Sequence, residues 1–185
     1  MSTRRAFLVG AILPACSSWS VARAGEQQQP DTSVDMAVST QMSIRRPESA
    51  VWAKLIKIED WITDLEFQRV DGVDGEMGSL LLARPRRAKG PFMSSYIQII
   101  RADAARRLVL RVTPESGEAY LGFGIFRLER RGNHTLVTYD LVMDLKVSRD
   151  NIASARAQLA AQEGDTAKQA NLNFATLNKL LSNGI

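Results

Sequence analysis

The chain is nearly empty of two residue types on which much enzyme chemistry depends. Among 185 residues there is one histidine, His134, and one cysteine, Cys16. A single histidine rules out the paired imidazoles of His-based metal spacing, and Cys16 falls in a leader expected to be removed, which leaves no Cys-His catalytic arrangement. His134 follows Gly132-Asn133, a turn signal, so its expected place is a solvated hairpin tip. Glycine is also used without a phosphate-binding pattern. Gly72, Gly75 and Gly78 are interleaved with Asp71, Asp74 and Glu76, whose charge repels phosphate. The same acids lack the twelve-residue spacing and closing glutamate of a calcium loop. No cofactor and no metal is expected.

An excess of positive charge is missing once the N-terminus is set aside. The whole chain holds 24 basic and 20 acidic side chains. Residues 1–24 contain Arg4, Arg5 and Arg23 and no acid, so the rest balances 21 against 20. Bulk charge therefore gives no case for nucleic acid. Residues 1–24 read as an export signal of the twin-arginine type. Thr3-Arg4-Arg5 leads into an apolar stretch, Ala6 to Ala15, that is too short to span a bilayer, and Ala22-Arg23-Ala24 forms a small-x-small cleavage site. The expected location is periplasmic or exported. Leu13-Pro14-Ala15-Cys16 offers a competing outcome, lipidation of Cys16 as a lipoprotein. Cleavage after Ala24 leaves no cysteine, hence no disulfide and no thiolate nucleophile.

What remains is patterned throughout. Residues 25–33 are polar and aperiodic and read as a flexible tether. Residues 34–185 read as a single domain, and about 160 residues suffice for one core. Val34, Met36, Val38, Met42 and Ile44 alternate with polar residues, a half-buried strand. Pro47 opens a short helix with Val51, Leu55 and Ile58 at helical spacing, and a second short helix follows around Trp61. Strand patterns then recur at Phe67–Val70, Met77–Arg84, Phe92–Arg101, Arg107–Thr113, Glu118–Arg130 and His134–Val147. The last two form a hairpin around Arg131-Gly132-Asn133. Ile152, Ala155 and Leu159 begin a helical stretch that Gly164-Asp165 is expected to break or bend. Ala167, Ala170, Phe174, Leu177 and Leu181 then form an amphipathic stripe.

This order gives an α+β class: a curved antiparallel sheet of about seven strands around a long C-terminal helix, with two short helices after the first strand. Pro47-Glu-Ser-Ala-Val-Trp52, Ile58-Glu-Asp-Trp61 and the late strand pair resemble the START-related, polyketide-cyclase-like superfamily, whose relatives include the Bet v 1 allergens. The resemblance runs from about Ser33 to Leu181. It implies a helix-grip fold, in which a cavity between sheet and helix is the site.

On the late hairpin, Tyr120, Gly122, Gly124 and Phe126 share one face. Two glycines at alternate strand positions leave either space for a ligand or room for strong bending. Tyr139 is on the apolar face of the last strand, where a buried phenol needs a partner. Met36 offers an adaptable thioether. Trp61 is placed by the resemblance at the pocket mouth, Tyr96 lies on a strand face of mixed polarity, and Phe174 is on the terminal helix. The ligand-binding set is thus Met36, Trp61, Tyr96, Tyr120, Gly122, Gly124, Phe126, Tyr139 and Phe174, with no catalytic residue among them. The basic loop carrying Arg84, Arg86, Arg87 and Lys89 is a candidate contact for anionic lipid headgroups. The resemblance to a cavity fold, with no catalytic constellation in the sequence, implies non-catalytic binding or carriage of a hydrophobic small molecule or lipid in the cell envelope. The alternatives are a polyketide-cyclase or dehydratase-like enzyme using the same cavity, and a protein-interaction module whose cavity is filled.

Overall fold

The alternation read in the first strand has a direct structural result: Val34, Met36, Val38 and Ile44 are buried, and Ser33, Asp35, Ser39 and Gln41 are exposed. The structure, a computed structural model, describes residues 32–63, 65–86, 94–115, 120–147 and 149–183. Its elements are β1 (Thr32–Ile44), α1 (Glu48–Leu55), α2 (Ile58–Trp61), β2 (Leu65–Asp71), β3 (Leu80–Pro85), β4 (Ser95–Asp103), β5 (Arg107–Pro114), β6 (Tyr120–Arg131), β7 (His134–Val147), a 3-10 turn (Arg149–Asn151) and α3 (Ile152–Asn183). The proposed leader, the tether up to residue 31 and Cys16 lie outside the described residues.

All seven strands pair antiparallel in one sheet, in the order β1-β7-β6-β5-β4-β3-β2. Only β1 joins out of sequence order, and the two short helices make the connection from β1 across to β2. Register irregularities between Arg69 and Asp71 in β2 and between Ile99 and Arg101 in β4 each leave one residue, Val70 and Ile100, outside the ladder. Such bulges bend a strand and increase its twist. Both residues are exposed.

Pairing stacks the inward side chains into rows across the sheet. One row runs Met36, Met143, Gly122, Val112, Ile97, Leu81. The next runs Val38, Leu141, Gly124, Leu110, Ile99. A third holds Thr40, Tyr139, Phe126 and Leu108. Directly paired residues share a face of the sheet, so these rows form the inner surface on which α3 lies.

The helix α3 runs without interruption from Ile152 to Asn183, through Gly164 and Asp165. This corrects the expected break. A glycine inside a helix costs about 1 kcal/mol relative to alanine, and the buried stripe on either side (Ala155, Leu159, Ala170, Phe174, Leu177, Leu181) outweighs it. Within the sheet α3 packs mainly on β1 and less on β7, and it also packs on α1 and α2. Its C-terminal end is held by Arg46, whose Nε donates to the Leu181 carbonyl at 3.1 Å. Among the described residues no helix is long and apolar enough to cross a membrane.

Candidate functional site

Four of the residues singled out in the sequence meet as one aromatic cluster between sheet and helices. Phe126 of β6 stacks on Tyr139 of β7, with centroids 4.6 Å apart and planes at 27°. Trp61 of α2 meets Phe126 edge-on at 5.9 Å. Phe174 of α3 lies edge-on to both Phe126 and Tyr139 at 6.4 Å. These are the offset and edge geometries that the ring quadrupoles favour. The Trp61 indole donates to the Leu55 carbonyl at 3.2 Å, so its polar atom is satisfied while the ring is buried. Trp61 is thus core, not the rim of a pocket mouth: the short helix α2 turns it inward onto β6.

Tyr120 lies six residues before Phe126 on the same strand face, ~20 Å away at about 3.3 Å per residue. Its hydroxyl shares a 2.9 Å hydrogen bond with Ser95 of β4, and both residues are buried. The two glycines occupy the strand between. They are not equivalent. A Cβ at Gly124 would stand 3.2 Å from the Tyr139 ring, so that ring already fills the space. A Cβ at Gly122 would meet nothing nearer than Met143 and Val112 at 3.5 Å, ordinary contact distance. Gly124 therefore makes room for Tyr139, whereas Gly122 could carry a Cβ at ordinary contact with Met143 and Val112. Met36, in the Gly122 row, is buried.

Tyr96 falls on the other side. It pairs with Leu82 and Thr113 and is half-buried on the outer face, whereas Ser95, Ile97 and Ile99 point inward. With a side-chain period of two, choosing the wrong alternate set moves every residue to the opposite face. The two isoleucines carried the inward signal, and the mixed set around Tyr96 is the outer one. Tyr96 therefore leaves the site. In the basic loop, Arg84 contacts Gln68 and Glu115, and the Arg86 Nε donates to the Leu65 carbonyl. Arg87 and Lys89 lie outside the described residues.

Three residues missed in the sequence join the interior. Thr166, Gln169 and Asn173 of α3 are buried. Their spacing of three and four places them on the flank of the apolar stripe, a signal hidden because polar residues were assigned to the solvent side. At about 100° per residue, Asn173 is turned ~160° from Asn171, and Asn171 meets Thr40 of β1 at 2.6 Å. The polar flank therefore faces away from β1, over the part of the sheet that α3 does not chiefly cover. Among the described residues every buried polar side chain is neutral: Ser79, Ser95, Thr135, Thr166, Gln169 and Asn173.

Burial, with a smaller contribution from Asp140, pushes the Tyr139 pKa well above the ordinary value. The neutral phenol is thus held as a hydrogen-bond donor. A raised folded-state pKa contributes stability that is complete below the unfolded value, about 10, and is lost as pH rises from there toward the folded value. Thermal unfolding across pH 8 to 11.5 is expected to show a falling melting temperature above about pH 10, with a shallower decline for Tyr139→Phe. Parallel declines would mean that the phenol reaches solvent.

A separate surface cleft of about 440 Å³ lies where α1 begins, between Arg46, Pro47 and Glu48 and the hairpin tip at Arg130, Asn133 and His134. His134 is half-buried there and accepts a long hydrogen bond from the Arg45 Nε at 3.5 Å. The cleft lining mixes the cations Arg46 and Arg130 and the acid Glu48 with Pro47 and Ala105.

Several solved structures share the architecture. Norcoclaurine synthase from Thalictrum flavum, solved in complex with dopamine and hydroxybenzaldehyde, superposes with a TM-score of 0.64 at 8% identity, covering 89% of this chain and 96% of that one. A conserved protein from Geobacillus kaustophilus gives 0.58 at 13% identity, covering 80% and 95%. Ara h 8.0201 gives 0.56 at 13% identity, covering 81% and 100%. No family model matches the chain, and no curated protein matches it in sequence. The chain has the helix-grip fold of Bet v 1-like proteins.

Proposed function

We propose that this protein binds an uncharged hydrophobic small molecule, or a lipid of that character, between the inner face of the sheet and α3. The observation that carries the reading is an interior that is neutral among its described residues, walled by aromatic and aliphatic side chains, yet supplied with hydroxyl and amide groups that the protein itself satisfies only in part. A charged ligand would find no counter-charge there and would lose its hydration. A mainly apolar surface with few placed polar groups is the usual make-up of a small-molecule site. The shared fold supports the reading in kind, since norcoclaurine synthase was solved with two small aromatic molecules.

Carriage within the cell envelope is the finer form of the proposal. It rests on the twin-arginine leader, with Cys16 as the alternative anchor. Contact with anionic lipid through Arg84, Arg86, Arg87 and Lys89 belongs to the same proposal. A second reading, an enzyme of cyclase or dehydratase type, is favoured by Tyr139. A protonated buried phenol can donate to a substrate carbonyl.

N-phenyl-1-naphthylamine, an uncharged apolar fluorophore, tests the site. Its emission is expected to rise on binding to the purified protein. Gly122→Leu is expected to extend beyond Met143 and Val112 into the proposed ligand space, lowering probe affinity about tenfold while the melting temperature stays near that of the parent. A stable parent that never binds the probe removes the carrier reading and leaves the interaction module.

A further inference from the structure

We infer that Asn173 is a ligand anchor, and that the molecule held under α3 carries a neutral hydrogen-bond acceptor, a carbonyl, ether or hydroxyl oxygen, on an otherwise apolar frame. This rests on the reading of the interior as a ligand site and adds the ligand's chemistry to it. Asn173 is 4% exposed, and its Nδ2 has no hydrogen-bond partner. Thr166, two helical turns earlier, is fully buried, and its Oγ1 is likewise unpaired. Buried polar atoms are almost always paired, so two orphans on one flank of one helix call for an explanation.

The orientation of the amide supplies it. Gln169 Nε2 donates to Asn173 Oδ1 at 3.5 Å. This leaves the carbonyl side of the amide turned along the helix toward Gln169 and the NH2 side free. A free NH2 group selects an acceptor. Anionic oxygen is disfavoured, because the buried described side chains offer no cation to balance it. The neighbouring residue, Phe174, packs on Phe126 and Tyr139. The anchor therefore stands beside the aromatic cluster, and the frame of the ligand would lie along the inner rows of the sheet.

The orphan donor carries a cost in the empty protein. A leucine of similar volume would seal the interior without an orphan donor, and replacing unpaired buried polar groups by apolar ones of the same shape is neutral or stabilising. A ligand acceptor that pairs with Asn173 Nδ2 would offset that cost.

The test uses two compounds of matched shape, 2-acetylnaphthalene and 2-ethylnaphthalene, which differ in a carbonyl oxygen. Each is titrated against bound N-phenyl-1-naphthylamine in the parent and in Asn173→Leu. The ketone-to-hydrocarbon affinity ratio is expected to fall about tenfold in the variant, while the hydrocarbon itself binds within about threefold of the parent. The empty variant is expected to melt at or above the parent temperature. Asn173→Met, whose unbranched chain adapts to irregular space, carries the same measurement if Asn173→Leu does not fold. An unchanged ratio in a folded variant that binds the fluorophore overturns the anchor and leaves the apolar site in place. A parent that binds neither compound nor the fluorophore overturns both.

Discussion

Phe174→Ala is expected to lower the unfolding free energy by about 3–5 kcal/mol, the range for large aromatic truncations in a packed core. Phe174 is 1% exposed and meets two other rings edge-on, one from each strand of the β6–β7 hairpin. Removing it takes away the most direct contact between α3 and the late hairpin and leaves a void that the flanking rows close only in part. Urea titration read by tryptophan fluorescence gives the midpoint and slope. A loss below about 1 kcal/mol would show that the ring borders open space, which would enlarge the ligand site at the expense of the core. A changed slope would show that the helix no longer docks in the native state.

Trp61→Ala is expected to have an effect of similar size, about 3–5 kcal/mol, from the opposite side of the same cluster. The indole packs edge-on against Phe126 and donates to the Leu55 carbonyl, so truncation removes both apolar area and the partner of a carbonyl. Trp61→Phe separates the two terms. It keeps a ring against Phe126 and is expected to recover all but about 1–2 kcal/mol, the net worth of a buried hydrogen bond plus a modest volume loss. Because Trp61 and Phe174 share Phe126 as a neighbour, the double mutant is expected to depart from the sum of the singles by about 0.5 kcal/mol or more. Strict additivity would mean that the two aromatics act on separate parts of the core. If Trp61→Phe were as damaging as Trp61→Ala, the hydrogen bond rather than the packing would be holding α2 in place.

Much of the architecture was legible because it follows from periodicity. Period two marked β1 with its inward set Val34, Met36, Val38 and Ile44, and it marked β6 and β7 as a hairpin with Tyr120, Gly122, Gly124 and Phe126 opposite Met143, Leu141 and Tyr139. Burial of one face forces such a pattern, because a one-residue slip would expose the whole set. The stripe from Ala170 to Leu181 located the closing helix for the same reason at period 3.6. Most of the residues named from the pattern as a candidate ligand-binding set are buried for that reason.

Tertiary structure decided what local pattern leaves undetermined. Gly164 looked like a break, but its penalty is about 1 kcal/mol and the buried stripe spans it. Tyr96 looked inward, but Ser95, Ile97 and Ile99 won the inner face, because Ile97 joins the row from Met36 to Leu81 and Ile99 the row from Val38 to Leu110. Two glycines looked alike in the strand, and only the fall of the Tyr139 ring over Gly124 distinguished the crowded position from Gly122, where a Cβ would make ordinary contacts. Thr166, Gln169 and Asn173 were invisible as site residues, since their polarity alone assigns them to water. Burying them takes a helix laid toward β1, which turns that flank over the rest of the sheet. Sequence thus determined which elements form and which faces are apolar, because those are properties of neighbours along the chain. Which polar atoms end up enclosed without partners depends on how the elements stack across it, and only the packed structure fixes that.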